Sequence, residues 1–161
     1  MNLRQLAYGL LSFLPGVPES LYKGTGGTSS AQYCYCIWLR HLVLARQGGM
    51  QEFPAVVAEL GPGASIGVGL AALLSGAQRY VALDALVHAD RANNLRVFDD
   101  LVSLFRCRAP IPGKEIFPEI ALDLDSSAFP IELIGEQRLR DGLNVERVAW
   151  LRRMVSGECP D

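Results

Sequence analysis

Basic charge is in short supply: 15 Lys and Arg face 17 Asp and Glu, for a formal net charge of −2 and an isoelectric point near 5.7. A chain without a basic footprint lacks the bulk attraction that holds a phosphate backbone, which lowers the case for nucleic-acid binding. Long apolar runs are also missing. No stretch approaches the roughly 20 apolar residues that cross a bilayer. Residues 5–14 (QLAYGLLSFL) follow Arg4 like a weak secretion-signal core, but Gln5, Gly9 and Ser12 break the run. Pro15 and Pro18 follow without a small-x-small cleavage site, so an amphipathic first helix is expected, with no signal peptide and no membrane partner.

Cysteine and histidine are sparse as well. Cys34, Cys36, Cys107 and Cys159 are the 4 cysteines, and only the first two are close. A C-x-C pair without a second Cys or His pair is a poor zinc site. The expected reading is reduced thiols packed as small apolar residues in a cytoplasmic protein, with no metal. Neither His41 nor His88 has a serine or cysteine at a recognisable triad spacing, so a hydrolase has no support in the sequence. His41 is expected to pack inside an apolar helix and His88 to lie at the surface. Asp99-Asp100 and the Asp123-x-Asp125 pair read as solvated acids rather than a cation site. Arg138, Arg140, Arg147, Arg152 and Arg153 alternate with acids and read as an exposed face.

What is present is an ordinary globular composition, 50% hydrophobic and 20% charged over 161 residues, enough for one domain with a real core. Residues 1–50 are expected to form a helical N-terminal segment and 51–161 an α/β unit. Pro15 and Pro18 stop the first helix. Residues 24–30 (GTGGTSS) make a small loop. Residues 31–46 alternate briefly at Tyr33, Tyr35 and Ile37, but their length and the Trp38, Leu42, Ala45 spacing predict a buried helix. Ser29 or Ser30 would cap it and Gly48-Gly49 would end it. A buried strand near 55–60, a helix near 65–75 closed by Gly76 and a strand near 79–84 follow. A helix over 90–106 rests on Leu95, Phe98, Leu101, Val102 and Phe105. Four prolines between 107 and 130 predict loop, Ile131–Ile134 a short strand, and 145–155 a helix between Asn144 and Gly157.

The informative stretch is Val56-Val57-Ala58-Glu59-Leu60-Gly61-Pro62-Gly63-Ala64-Ser65, with Asp84 ending a second apolar run about twenty residues on. Strand, glycine turn, helix, strand, acid is the layout of a nucleoside-binding half of a doubly wound parallel sheet. A dinucleotide fingerprint would place glycine at Ile66; Pro62 removes an N–H donor, and Glu59 would repel a pyrophosphate. A ligand carrying an ammonium and a sulfonium tolerates that acid.

On these residues the chain resembles the class I S-adenosylmethionine-dependent methyltransferases, whose first motif, an acid, one residue, then glycine-x-glycine, matches Glu59-Leu60-Gly61-Pro62-Gly63. The usual third glycine falls at Ser65. The resemblance implies a Rossmann-like fold with helices on both faces of the sheet, and S-adenosylmethionine as cofactor. It implies that Glu59, Gly61, Pro62 and Gly63 lie against the methionine and ribose parts, that Asp84 accepts from the ribose hydroxyls, and that Ala85 and Leu86 border the adenine. A bend packed shut, or Asp84 far from its mouth, would contradict it.

The loop from Lys23 to Ser29 lacks the ending of a phosphate-binding loop; a connector is expected, or a lid over the cofactor with Tyr33 or Tyr35 behind it. No catalytic base and no methyl acceptor can be named. With two strands legible and a third suspected, the sequence is expected to be the N-terminal, cofactor-binding part of a methyltransferase, cut short or naturally short, with an exposed sheet edge that favours a homodimer. A non-catalytic interaction module on the same fold is the alternative. A nicotinamide-dependent oxidoreductase is disfavoured by Ile66, Pro62 and Glu59.

Overall fold

A computed structural model describes residues 27–85, 89–113 and 124–158. These residues form an α/β fold, a small two-stranded parallel sheet with six α-helices among them. After a 3-10 turn at Gly27–Ser29 comes α1 (Ala31–Gln47), then β1 (Val56–Leu60), α2 (Gly67–Leu74) and β2 (Arg79–Leu83). Helices α3 (Arg91–Arg106), α4 (Ile131–Ile134), α5 (Glu136–Gly142) and α6 (Val145–Ser156) complete the described chain. The expected first helix lies outside the described residues.

Helix α1 begins where the Ser30 side chain accepts the Tyr33 N–H, and Gly48 closes it. Its buried face carries Cys34, Tyr35, Trp38, Leu39 and Leu42. His41 is exposed, against the expectation that it packs inside, because it falls on the narrow arc which that broad apolar face leaves to solvent. Trp38 Nε1 donates to Ser75 Oγ at 2.8 Å, tying α1 to the end of α2.

β1 and β2 pair in parallel, in register from Val56↔Arg79 to Leu60↔Leu83. Parallel strands need a crossover, and α2 provides it. Two glycines let α2 lie close on both sides. A Cβ at Gly67 would come within 2.4 Å of Cys34 Sγ on α1, and one at Gly69 within 2.2 Å of the Tyr80 ring on β2. Residues of α1, α2 and α3 share one core with Phe98, Leu101 and Phe105 at its centre.

Two expectations are corrected here. β1 is not buried: its residues alternate between exposed and half-buried, with Val56 58% and Leu60 82% exposed. Helix α2 packs on the face of the sheet that carries Val57 and Tyr80. Ile131–Ile134 is a helical turn rather than a strand. Pro130 starts it, the Gly135 N–H closes it on Ile131 O at 2.7 Å, and Ile134 is buried without a strand beside it. The described sheet therefore stops at two strands.

The remaining elements follow their caps. Asp90 accepts the Asn93 N–H at the start of α3. Asn144 accepts the Arg147 N–H at the start of α6, and Gly157, at φ +73°, ends it. On α6 only Leu151 is fully buried; Val148 and Val155 are half-buried and Val145 is exposed.

Candidate cofactor site

β1 delivers the glycine turn to the C-terminal end of the sheet. The Gly61 N–H continues the ladder beyond Leu60, donating to Leu83 O at 2.8 Å. That bond seats the turn against the end of β2, so Asp84 and Ala85 follow directly beside Gly61. All three are exposed. Gly61 has φ +67° and Gly63 φ +75°, backbone conformations that side-chain-bearing residues rarely adopt. A Cβ at Gly61 would meet nothing within 4 Å, so the backbone there is open to close approach.

The other half of the turn is closed. Pro62 is buried, and a Cβ at Gly63 would lie 3.3 Å from Thr28 Oγ1. Thr28 belongs to the 3-10 turn at Gly27–Ser29, and it is itself buried. Its Oγ1 accepts the Ser65 N–H at 3.4 Å, while its carbonyl accepts from Ser65 Oγ and from Cys34 Sγ. Asn94 Oδ1 accepts the Ile66 N–H at 3.0 Å, and Ser65 Oγ accepts the Gly67 N–H at 3.1 Å. The N–H groups of Ser65, Ile66 and Gly67, between the glycine turn and the first residue of the helix, are thus satisfied from within. Helix α2 itself begins at Gly67 rather than near 65. Asn93 Nδ2 holds Ala64 O at 2.9 Å, and Arg96 holds Ser29 O at 2.5 Å.

Glu59 points along the α2 side of the sheet, where its Oε2 accepts from Tyr80 Oη at 2.5 Å. Burial raises the Tyr80 phenol pKa, and the bond to Glu59 raises it further, because ionisation would destroy the bond and add a like charge. Cys34 lies in the same cluster. Burial raises its thiol, the Ser65 hydrogen bond lowers it, the Glu59 charge raises it, and the net result is a pKa pushed up to about 12. Cys34 and Cys36 are buried; Cys36 Sγ donates to Pro112 O at 3.2 Å.

Of the residues read from the motif, Gly61, Asp84 and Ala85 come together on the open side. Pro62 and Gly63 form the closed side, and Glu59 lies beneath, bonded to Tyr80. Leu86 and His88 fall outside the described residues, as do residues 23–26 of the expected lid. The described part of that loop does lie against the turn, with the Tyr33 ring packed behind Gly27; Tyr35 is instead a core residue whose Oη donates to Ala109 O at 2.6 Å. Sequence reasoning missed Thr28, Tyr80 and Asn94. Asn94 carried a usable signal: a polar residue at the core-facing spacing of α3 marks a buried hydrogen bond.

The other candidates resolve into structural contacts. Asp99 pairs with Arg152 at 3.0 Å and Asp100 with Arg96 at 3.6 Å, while Asp125 accepts from Gln47 at 3.3 Å; Asp123 is not among the described residues. No group of three or more His, Cys, Asp or Glu among the described residues could hold a metal ion. Arg147 leaves the exposed face assigned to it. The residue is half-buried, and its guanidinium donates to Leu73 O at 3.2 Å and Ala77 O at 2.8 Å, capping the end of α2.

Comparison of the chain with protein-family models, curated proteins and solved structures finds no match.

Proposed function

We propose that the chain binds S-adenosylmethionine across the C-terminal ends of β1 and β2, as the cofactor-binding unit of a Rossmann-like methyltransferase. The observation that carries this reading is the Gly61 N–H to Leu83 O bond at 2.8 Å, which brings an open glycine backbone beside the end of β2, where Asp84 follows. Open sites at the C-terminal ends of parallel strands are where α/β sheets take their ligands. Asp84 would accept from the ribose hydroxyls and Ala85 would border the adenine, with Gly61 allowing the ligand to approach the main chain. Glu59 and Asp84 give this end of the sheet a negative field that suits an ammonium and a sulfonium. When bound, the cofactor supplies an activated methyl group on a good leaving group. The chain's share is binding and orientation, which dominate where the leaving group is already activated. On this reading β1-α2-β2 is one half of a doubly wound sheet.

The bonding of the segment between the turn and the helix speaks against nucleotides. With the Ser65, Ile66 and Gly67 N–H groups bonded to Thr28, Asn94 and Ser65, and none on Pro62, a pyrophosphate would find few donors here. A nicotinamide-dependent oxidoreductase is disfavoured for that reason. The same bonding supports a second reading, a module that keeps the β-α-β scaffold for interaction and performs no transfer.

Calorimetric titration with S-adenosylmethionine, S-adenosylhomocysteine and NAD separates these readings. The proposal expects the two sulfur nucleosides to bind and NAD to give no heat. Binding of NAD alone, or of none of the three, would overturn it.

A further inference from the structure

In a chain of net charge −2, the C-terminal end of α3 gathers basic side chains. Arg106 ends the helix, Arg108 follows its Cys107 cap, and Arg140 stands on α5. With Phe105, Leu139 and Leu143 they line a cleft of about 260 Å³. Most of α3, roughly 18 Å of helix, separates Arg106 from Asn94, which bonds the glycine turn. The cleft is therefore remote from the cofactor site.

Arg108 has φ +50°, the left-handed conformation that glycine or asparagine normally takes after a helix. No other side-chain-bearing residue among the described ones has a positive φ. Strained backbone of this kind gathers at ligand sites, where the surroundings hold it. Here it leaves the Arg108 fork on the Glu136 carboxylate, with bonds of 2.8 and 2.6 Å. Arg140 lies 3.9 Å from the same carboxylate and donates to Gln137 Oε1 at 2.8 Å. Arg106 is exposed and has no partner among the described residues.

One carboxylate thus serves three guanidiniums. The Arg108 bond holds the Glu136 carboxyl below its usual range, so it stays ionised and offsets one charge. The negative end of α3 offsets about half of another, leaving about one and a half positive charges. A phosphate monoester carries about −1.5 to −2 at neutral pH, a closer match than one carboxylate. Planar guanidinium forks also suit phosphate oxygens. The cleft is smaller than the roughly 300–1,000 Å³ of drug-sized pockets, and its apolar lining suits a compact hydrocarbon group. The described chain on either side of residues 114–123 is fastened to α1, at Cys36 and Gln47, rather than to this cleft.

We propose that this cleft binds a small phosphate monoester with an apolar ester group, the phosphate on Arg106, Arg108 and Arg140 and the ester group towards Phe105, Leu139 and Leu143. The inference is independent of the cofactor reading. The probe is phenyl phosphate, titrated calorimetrically into the full chain beside inorganic phosphate and benzoate. One saturable site is expected, tighter for phenyl phosphate than for inorganic phosphate, which lacks the ring, or benzoate, which lacks the second charge. Arg106→Gln should weaken it at least about tenfold, the worth of one charge-assisted hydrogen bond. Arg153→Gln, at the surface of α6, should leave it unchanged. Glu136→Gln should tighten it several-fold, because a competing anion leaves the arginines. Absence of binding, as when another part of the chain fills the cleft, would overturn the proposal. So would affinity indifferent to Arg106→Gln, benzoate bound as tightly as phenyl phosphate, or weaker binding in Glu136→Gln.

Discussion

The carboxylate of Glu59 and the phenol of Tyr80 form a short, charge-assisted bond of 2.5 Å on the half-buried side of the sheet. Bonds to a charged group are worth about 1.5–3 kcal/mol, so Tyr80→Phe, which keeps the ring packed on Gly69, should lower the unfolding free energy by about that much in urea titration. An unchanged midpoint would show that the bond does no net stabilising. Cys34 supplies a pH test. Its folded pKa of about 12 stands above the ordinary thiol value of 9.0. A raised folded pKa favours the fold fully below the unfolded value and loses that contribution as the pH climbs. Stability should therefore fall from about pH 9 towards 12, as the unfolded thiol ionises and the buried one resists. Cys34→Ser, which keeps a donor towards Thr28 O, should flatten the onset of that fall when urea midpoints are compared at mildly and strongly alkaline pH. Tyr80 and Tyr35, both raised chiefly by burial, add to the loss at the upper end.

At the scale of elements, caps and turns were the most legible features. Ser30 and Asn144 each accept the N–H three residues on, and Gly76 at φ +114° and Gly157 at +73° end α2 and α6. These signals are local, so one sequence carries them. The misreadings are all tertiary. Ile131–Ile134 has the β-branched composition of a strand, yet Pro130 and Gly135 frame it as one helical turn whose apolar side fills the core. A four-residue apolar run does not distinguish the two outcomes. Arg147 looked like one of several surface arginines, and nothing near it in sequence reveals that its guanidinium reaches Leu73 O and Ala77 O. Replacing it with methionine keeps the stem's packing but leaves those carbonyls without it. Arg147→Met should cost about 1–3 kcal/mol in thermal or urea unfolding, whereas Arg153→Met, fully at the surface, should stay within about 0.5 kcal/mol.

For the molecule as a whole, the β-α-β unit was readable because its glycines and two apolar runs are contiguous, and both strands lie within two residues of where the pattern put them. Which atoms of the turn stay open was not readable. That depends on Thr28 and Asn94, which lie about thirty residues away on either side in sequence, closing the turn at Gly63 while Gly61 stays exposed. The burial of β1 was misjudged for a similar reason: an apolar strand announces that it needs covering, not that it is covered. If the open half of the turn takes the ribose, Asp84 is the residue on which affinity depends. The direct measurement is the calorimetric affinity for S-adenosylmethionine of the wild-type chain beside Asp84→Ala. Binding to the wild type that weakens by about 1–3 kcal/mol in the variant, with unchanged unfolding, is the expected result; equal affinities, or no binding to either, would contradict the assignment.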